Sequence, residues 1–186
     1  MKLGSGDDDG KRIAAVRRAA PKAELIVDAN EGWDESNLAQ NLAACAEQGV
    51  TLIEQPLPEG RDTALARIKR PIPICADESA HDRGSLDALT GKYDAINIKL
   101  DKAGGLTEAL ALAAEAERRG FGIMVGCMVA TSLAMAPTML VAQLSLIHIC
   151  LYVLFLYRSG SRGRPESMAA DAICAPATRR RFCADS

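Results

Sequence analysis

Four short apolar runs of this chain end in an ionisable residue. Glu24–Val27 runs into Asp28, with Asn30 two positions on, and Thr51–Ile53 runs into Glu54-Gln55-Pro56. Ile72–Cys75 passes through Ala76 into Asp77-Glu78-Ser79, and Ala95–Ile98 meets Lys99, followed by Leu100-Asp101-Lys102-Ala103-Gly104-Gly105. One acid after a strand is ordinarily the cap of the next helix. Acids at the same phase of three consecutive runs are different, because the C-terminal edge of a parallel sheet is where active sites form and there they face one another. Facing anions repel strongly unless a cation joins them. An all-oxygen donor set suits a hard ion, and magnesium keeps positions open for water or substrate. Asp28, Glu54 and Asp77 are therefore candidate Mg2+ ligands. Lys99, and Lys2 just before Leu3-Gly4, would flank such a site. A lone lysine at a strand end is usually a solvated charge. Two beside a metal can act as acid and base, because nearby positive charge lowers an amine's pKa toward neutrality.

Positioning these side chains requires a parallel sheet. The runs named above, with Gly122–Val125, are short and rich in Ile and Val, as strands buried on both faces are. Helical patterns lie between and around them: Asp8–Ala20, Glu35–Gln48, Asp62–Lys69, Asp82–Leu89, Leu106–Arg119 and Thr131–Val141. Gly49, Pro71, Gly104-Gly105 and Gly120 punctuate the alternation. Regular βαβα order implies α/β architecture with right-handed crossovers, and a strand spacing of roughly 25 residues fits a barrel or a doubly wound sheet. No G-x-G-x-x-G or P-loop follows any strand, which gives nucleotide binding little support.

The segments Asp28-Ala29-Asn30-Glu31-Gly32-Trp33, Ile53-Glu54-Gln55-Pro56, Ala76-Asp77-Glu78-Ser79 and Asn97–Gly105 resemble the enolase superfamily. Within it they are similar to the muconate-cycloisomerase subgroup and the dipeptide epimerases of the L-Ala-D/L-Glu type, over about Met1 to Gln143. The resemblance implies a TIM-type (β/α) barrel, here partial, lacking the N-terminal capping domain and the eighth strand. It implies that Asp28, Glu54 and Asp77 bind Mg2+ on the third to fifth barrel strands, that Lys99 is the base on the sixth, and that Lys2 is the second lysine of the K-x-K motif. Cys127 and Met128, in Gly126-Cys127-Met128-Val129, correspond to the seventh-strand end lining the substrate pocket. Asn30 and Gln55 are placed by spacing beside the metal ligands, where they could orient them. The implied activity is a magnesium-dependent 1,1-proton transfer through an enediolate, an isomerase reaction at the α-carbon of a dipeptide such as L-Ala-L-Glu. Glu31-Gly32-Trp33 favours this over the o-succinylbenzoate synthase, N-succinylamino acid racemase and muconate cycloisomerase alternatives.

The family pattern stops near Gln143. The eighth strand's Asp-x-Asp would fall near Tyr152-Val153-Leu154, where no acid stands, and the first lysine of K-x-K has no counterpart. The expectation is a partial barrel over 1–143, a disordered or artefactual non-family tail over 144–186, and a chain inactive or nearly so as it stands. A non-catalytic remnant is the competing reading. The apolar run Leu140–Tyr157, about 18 residues, is marginal for a membrane span, and a membrane anchor is not favoured.

Composition narrows the partners further. A net charge of −2 and 4% aromatic residues give no reason to expect nucleic acid. Six cysteines without a C-x-x-C pair, and only two histidines, argue against a zinc site. Scattered cysteines and no apolar leader suggest a reducing, cytoplasmic compartment. A homo-oligomer is compatible with these features.

Overall fold

The computed structural model describes residues 1–4 and 8–143. In chain order it contains α1 (Asp9–Ala19), β1 (Leu25–Asp28), α2 (Leu38–Glu47), β2 (Val50–Glu54), a 3₁₀ turn over Thr63–Ala66 and β3 (Ile74–Ala76). A second 3₁₀ turn over Arg83–Ser85 leads into α3 (Leu86–Leu89). Then come β4 (Ala95–Lys99), α4 (Leu100–Ala103), α5 (Leu106–Arg118), β5 (Gly122–Gly126) and α6 (Ser132–Ala142). The strands form one sheet in the order β1-β2-β3-β4-β5, and every neighbouring pair is parallel. Ahead of β1, Lys2 makes a parallel bridge to Asp28, secured by Leu3 N–H to the Asp28 carbonyl at 2.7 Å and Asp28 N–H to the Met1 carbonyl at 2.9 Å.

A strand alternates its side chains between two faces, and here both faces are apolar. Val27, Ile53, Ile74, Ile96, Ile98, Ile123 and Val125 pack with Ile13, Leu42, Leu86 and Leu112 from the helices, forming the main core. The alternate positions Cys75, Ala95 and Met124, with Leu52, form a separate inner layer. Helices outside and a narrow filled layer inside make this a partial barrel. Continuing the same alternation toward the C-terminal edge places Asp28 after Ile26, Glu54 after Leu52 and Asp77 after Cys75. Likewise Asn97 and Lys99 follow Ala95, and Gly126 follows Met124. The period-two rule that fills the barrel therefore also aims the ionisable residues into its mouth.

Two predicted helices are shorter than their periodicity suggested. Over Asp62–Lys69 only the turn Thr63–Ala66 forms, because Asp62 does not cap it. Its carboxylate instead accepts hydrogen bonds from Lys92 Nζ at 2.6 Å and Tyr93 Oη at 2.8 Å. Over Asp82–Leu89 the Asp82 side chain accepts from the backbone N–H groups of Gly84 and Ser85, which tightens the first turn to 3₁₀. α4 was not anticipated. Gly104 and Gly105, at φ +84° and +115°, reverse the chain from α4 into α5. The tail expected over 144–186, with the Asp-x-Asp position near Tyr152-Val153-Leu154, lies outside the described residues. No helix among the described residues is long and apolar enough to cross a membrane.

Candidate metal and acid–base site

Along the sheet's C-terminal rim the side chains follow the order Lys2, Asp28, Glu54, Asp77, Lys99, one from each successive strand or bridge. Direct pairing sets Asp28 beside Glu54 across β1 and β2. The outer acids are paired with amines. Lys2 Nζ donates to Asp28 Oδ2 at 2.5 Å, and Lys99 Nζ donates to Asp77 Oδ2 at 2.5 Å. Lys102, which had no role in the sequence reading, donates to Asp77 Oδ1 at 2.5 Å and also to the Asp77 backbone carbonyl. The four-residue helix α4 delivers it there.

Among the described residues no lysine pairs with Glu54; its Oε1 accepts from Asn97 Nδ2 at 2.7 Å. Burial, then the charges of Asp28 and Asp77, push its carboxyl up to about 8. Asp77 moves the other way: burial alone would raise it, but Lys102 and Lys99 together hold it below the ordinary carboxylate value. Lys99 corrects an expectation. Burial opposes its charge, yet the hydrogen bond and charge of Asp77, helped by Glu54, hold it above the ordinary lysine value. Its nearest charged neighbours in the protein are carboxylates, so the amine is not lowered toward neutrality.

Asn30 and Gln55 do lie beside the acids, each by a different route. Asn30 adopts φ +50°, and its N–H donates to Asp28 Oδ1 at 2.9 Å. Its side chain accepts from Lys2 Nζ at 3.0 Å and donates to Glu78 Oε1 at 2.7 Å, bridging the extension ahead of β1 to the turn after β3. Gln55 is fully buried at φ +32°, a strained conformation for a residue with a side chain. Its Oε1 accepts the backbone N–H of Asp77 at 2.9 Å and of Ser79 at 3.2 Å. Its Nε2 lies 2.9 Å from Tyr93 Oη and 2.8 Å from Ser79 Oγ. Gln55 thus clamps the turn that carries Asp77 rather than touching a carboxylate. Cys127 follows β5, half-buried, with its thiol raised by burial and Asp101 against the charge of Lys99. Met128 is 51% exposed.

Among the described residues no group of three or more His, Cys, Asp and Glu side chains closes into a metal cage. Asp28 and Asp77 are drawn to lysines instead. The donor chemistry nevertheless fits a divalent cation. Three carboxyl groups share one rim, and burial together with the charges of Asp28 and Asp77 raises the middle one, the charge imbalance a hard cation relieves. A cavity of about 490 Å³ lined by Arg83, Ala111, Ala114, Glu115 and Arg119 lies elsewhere, on α5. Its arginines are engaged by Glu108, Glu115 and Asp87.

Comparison with known proteins fits this geometry. A family model described as enolase C-terminal domain-like matches residues 1–160. L-Ala-D/L-Glu epimerase of Escherichia coli (strain K12) is 54% identical over 136 residues, covering 73% of this chain and 42% of that protein. N-acetyl-D-glutamate racemase of Pseudoalteromonas sp is 53% identical over 132 residues, covering 71% and 42%. Among solved structures, an enolase family member from Agrobacterium tumefaciens with homology to dipeptide epimerases, holding sodium and L-Ala-L-Glu, matches with a TM-score of 0.74 and 60% identity. That match covers 76% of this chain and 44% of that one. Dipeptide epimerase from Cytophaga hutchinsonii, complexed with Mg and the dipeptide D-Ala-L-Val, matches with a TM-score of 0.71 and 30% identity over 81% and 44%. The chain thus spans less than half the length of the proteins it matches.

Proposed function

The chain belongs to the enolase C-terminal domain-like family, and on that premise we propose that its rim is the acid–base and magnesium site of an isomerase that inverts the α-carbon of a dipeptide such as L-Ala-L-Glu. The observation that carries this reading is the order Lys2, Asp28, Glu54, Asp77, Lys99 along one edge, with the acids in the middle and an amine at either side. Magnesium, when held by Asp28, Glu54 and Asp77, would supply positive charge that makes a proton next to a carboxylate acidic enough to leave. Lys99 and Lys2 stand at opposite sides of that position. One takes the α-proton and the other returns a proton to the opposite face, which is a 1,1-proton transfer. Asn30 holds the Lys2 amine, and Gln55 holds the turn bearing Asp77, so both shape the site without contacting substrate. Cys127 and Met128 would border the substrate beside Lys99.

A second substrate is favoured by one comparison, the 53% identity to N-acetyl-D-glutamate racemase. N-acylated glutamate and a dipeptide ending in glutamate present the same α-carbon beside an amide and a carboxylate, so the same rim would serve both. Solvent exchange of the α-proton in heavy water decides. Magnesium-dependent exchange with L-Ala-L-Glu, lost in Lys99→Met, supports the dipeptide reading, and exchange confined to N-acetylglutamate supports the second. Magnesium binding with no exchange of either compound leaves a cation site on the inactive partial barrel expected from the sequence, and exchange that does not depend on magnesium overturns the reading.

A further inference from the structure

Asn97 is 3% exposed, and its side chain reaches past β3 from β4 to β2. Nδ2 donates to Glu54 Oε1 at 2.7 Å, and Oδ1 has no hydrogen-bond partner among the described residues. That orientation is dictated by charge, since turning the amide over would point a carbonyl oxygen at a carboxylate. An orphaned buried acceptor costs stability, and here the other half of the amide is engaged by Glu54. On the far side lies Gly126, the diagonal neighbour of Asn97 across the β4–β5 register, where Lys99 pairs with Gly126 and Asn97 with Met124. A Cβ at Gly126 would stand 2.7 Å from Asn97 Oδ1, 2.9 Å from Nδ2 and 3.2 Å from Cγ. The glycine has ordinary backbone angles, so its missing side chain answers to the amide and not to the turn. Aspartate at 97 would add a further anion beside Glu54, and a longer residue would meet β5.

We infer that Asn97 is a positioning residue that fixes Glu54 for cation binding, and that Gly126 is glycine to leave the Asn97 amide its space. The inference rests on the reading of Glu54 as a magnesium ligand. Holding Oε1 fixes the orientation of the Glu54 carboxyl, which also hydrogen-bonds Asp77, for service to the ion.

Magnesium titrated calorimetrically into the full 186-residue chain tests the pair, with the thermal midpoint without magnesium recorded for each variant. Asn97→Leu and Asn97→Ala are expected to weaken magnesium binding about 10- to 100-fold, the range for groups that orient a ligand. Ile98→Val, a core change one residue away, is expected to move the midpoint and leave the affinity unchanged. Gly126→Ala keeps every polar atom and reads the same effect should an Asn97 variant fail to fold. It is expected to weaken binding in the native background and to add nothing once Asn97 is alanine. Asn97 variants that bind like the native chain overturn the inference, as does a Gly126→Ala loss of equal size in both backgrounds or a matching loss in Ile98→Val. Those results leave the reading of Glu54 standing. A native chain that binds no magnesium, by contrast, overturns that reading and this inference with it.

Discussion

Glu54 is the residue on which the electrostatics of the rim converge, and its titration has a definite sign. Its carboxyl is raised from 4.5 to about 8 by burial, Asp28 and Asp77. Between those values the folded chain binds more protons than the unfolded chain, so stability falls as pH rises through this window. The stabilising protonated form is present below the unfolded value and is lost as pH passes the folded one. Urea midpoints measured without divalent ions from pH 5 to 8.5 are expected to decline with pH in the native chain. They are expected to decline less in Glu54→Gln, which carries no charge to bury, and a parallel decline in the two would assign the slope to other groups. Lys99 and Asp77 shift in the directions of a committed ion pair. The proposed proton transfer by Lys99 would therefore require Asp77 Oδ2 to be given up to a competing cation, while Lys102 keeps hold of Oδ1.

At the scale of elements, much was readable from the runs themselves. All five strands lie where the apolar runs placed them, and each ends one residue later than its run, β3 on Ala76 and the other four on Asp28, Glu54, Lys99 and Gly126. Burial on both faces produces continuous apolar runs, and these are hard to mistake. The shared orientation of Asp28, Glu54, Asp77 and Lys99 was legible for a related reason, since parity within a strand decides which face a residue takes. What escaped depends on contacts between strands or on elements too short to show a period. Lys102 sits on a helix of four residues, for which no 3.6-residue pattern exists. Asn97 was legible only as part of a motif. Its position two before Lys99 puts it on the inner face, but its bond to Glu54 skips a strand and has no sequence signature. The Gln55–Ser79–Tyr93–Asp62 network escaped likewise, being assembled from residues 14 to 38 positions apart.

The extension ahead of β1 makes its own prediction at this scale. Lys2 reaches the rim because Met1–Gly4 lies flat against β1, and Gly4 and Gly32 cross there without side chains. A Cβ at Gly32 would stand 2.3 Å from Gly4 Cα and 2.6 Å from its carbonyl oxygen. Backbone cannot yield as a flexible side chain can, so the extension must lift. Gly32→Ala is expected to cost about 1–3 kcal/mol of stability, as overpacking does. It is also expected to weaken the Lys2–Asp28 pair while leaving Lys99–Asp77 intact. Chemical denaturation checks the first outcome and amine-selective NMR of the two lysines the second.

The whole molecule joins an apolar shell that needs no ion to a rim proposed to hold one. The main core runs from Leu3 to Val141 and packs the helix-facing side of the strands, while Leu52, Cys75, Ala95 and Met124 form the separate inner layer. Folding is therefore expected to proceed without metal, as the helices and strands pack on residues remote from the acids. The rim opposes that packing, because Asp28, Glu54 and Asp77 are each at most 9% exposed and carry like charge when ionised. An ion that binds only the folded arrangement must add its binding free energy to stability. Magnesium at 100 times its dissociation constant should add about 2.7 kcal/mol. The gain is expected to grow with pH as Glu54 ionises, opposite in sign to the trend without metal. The two effects therefore cross-check each other in one set of denaturation curves recorded with and without magnesium. Asp28→Asn and Glu54→Gln should each remove most of the gain, whereas Lys102→Met, which takes a competing cation off Asp77, should not. A magnesium gain that survives both acid substitutions would place the ion elsewhere on the molecule and detach the rim from metal chemistry altogether.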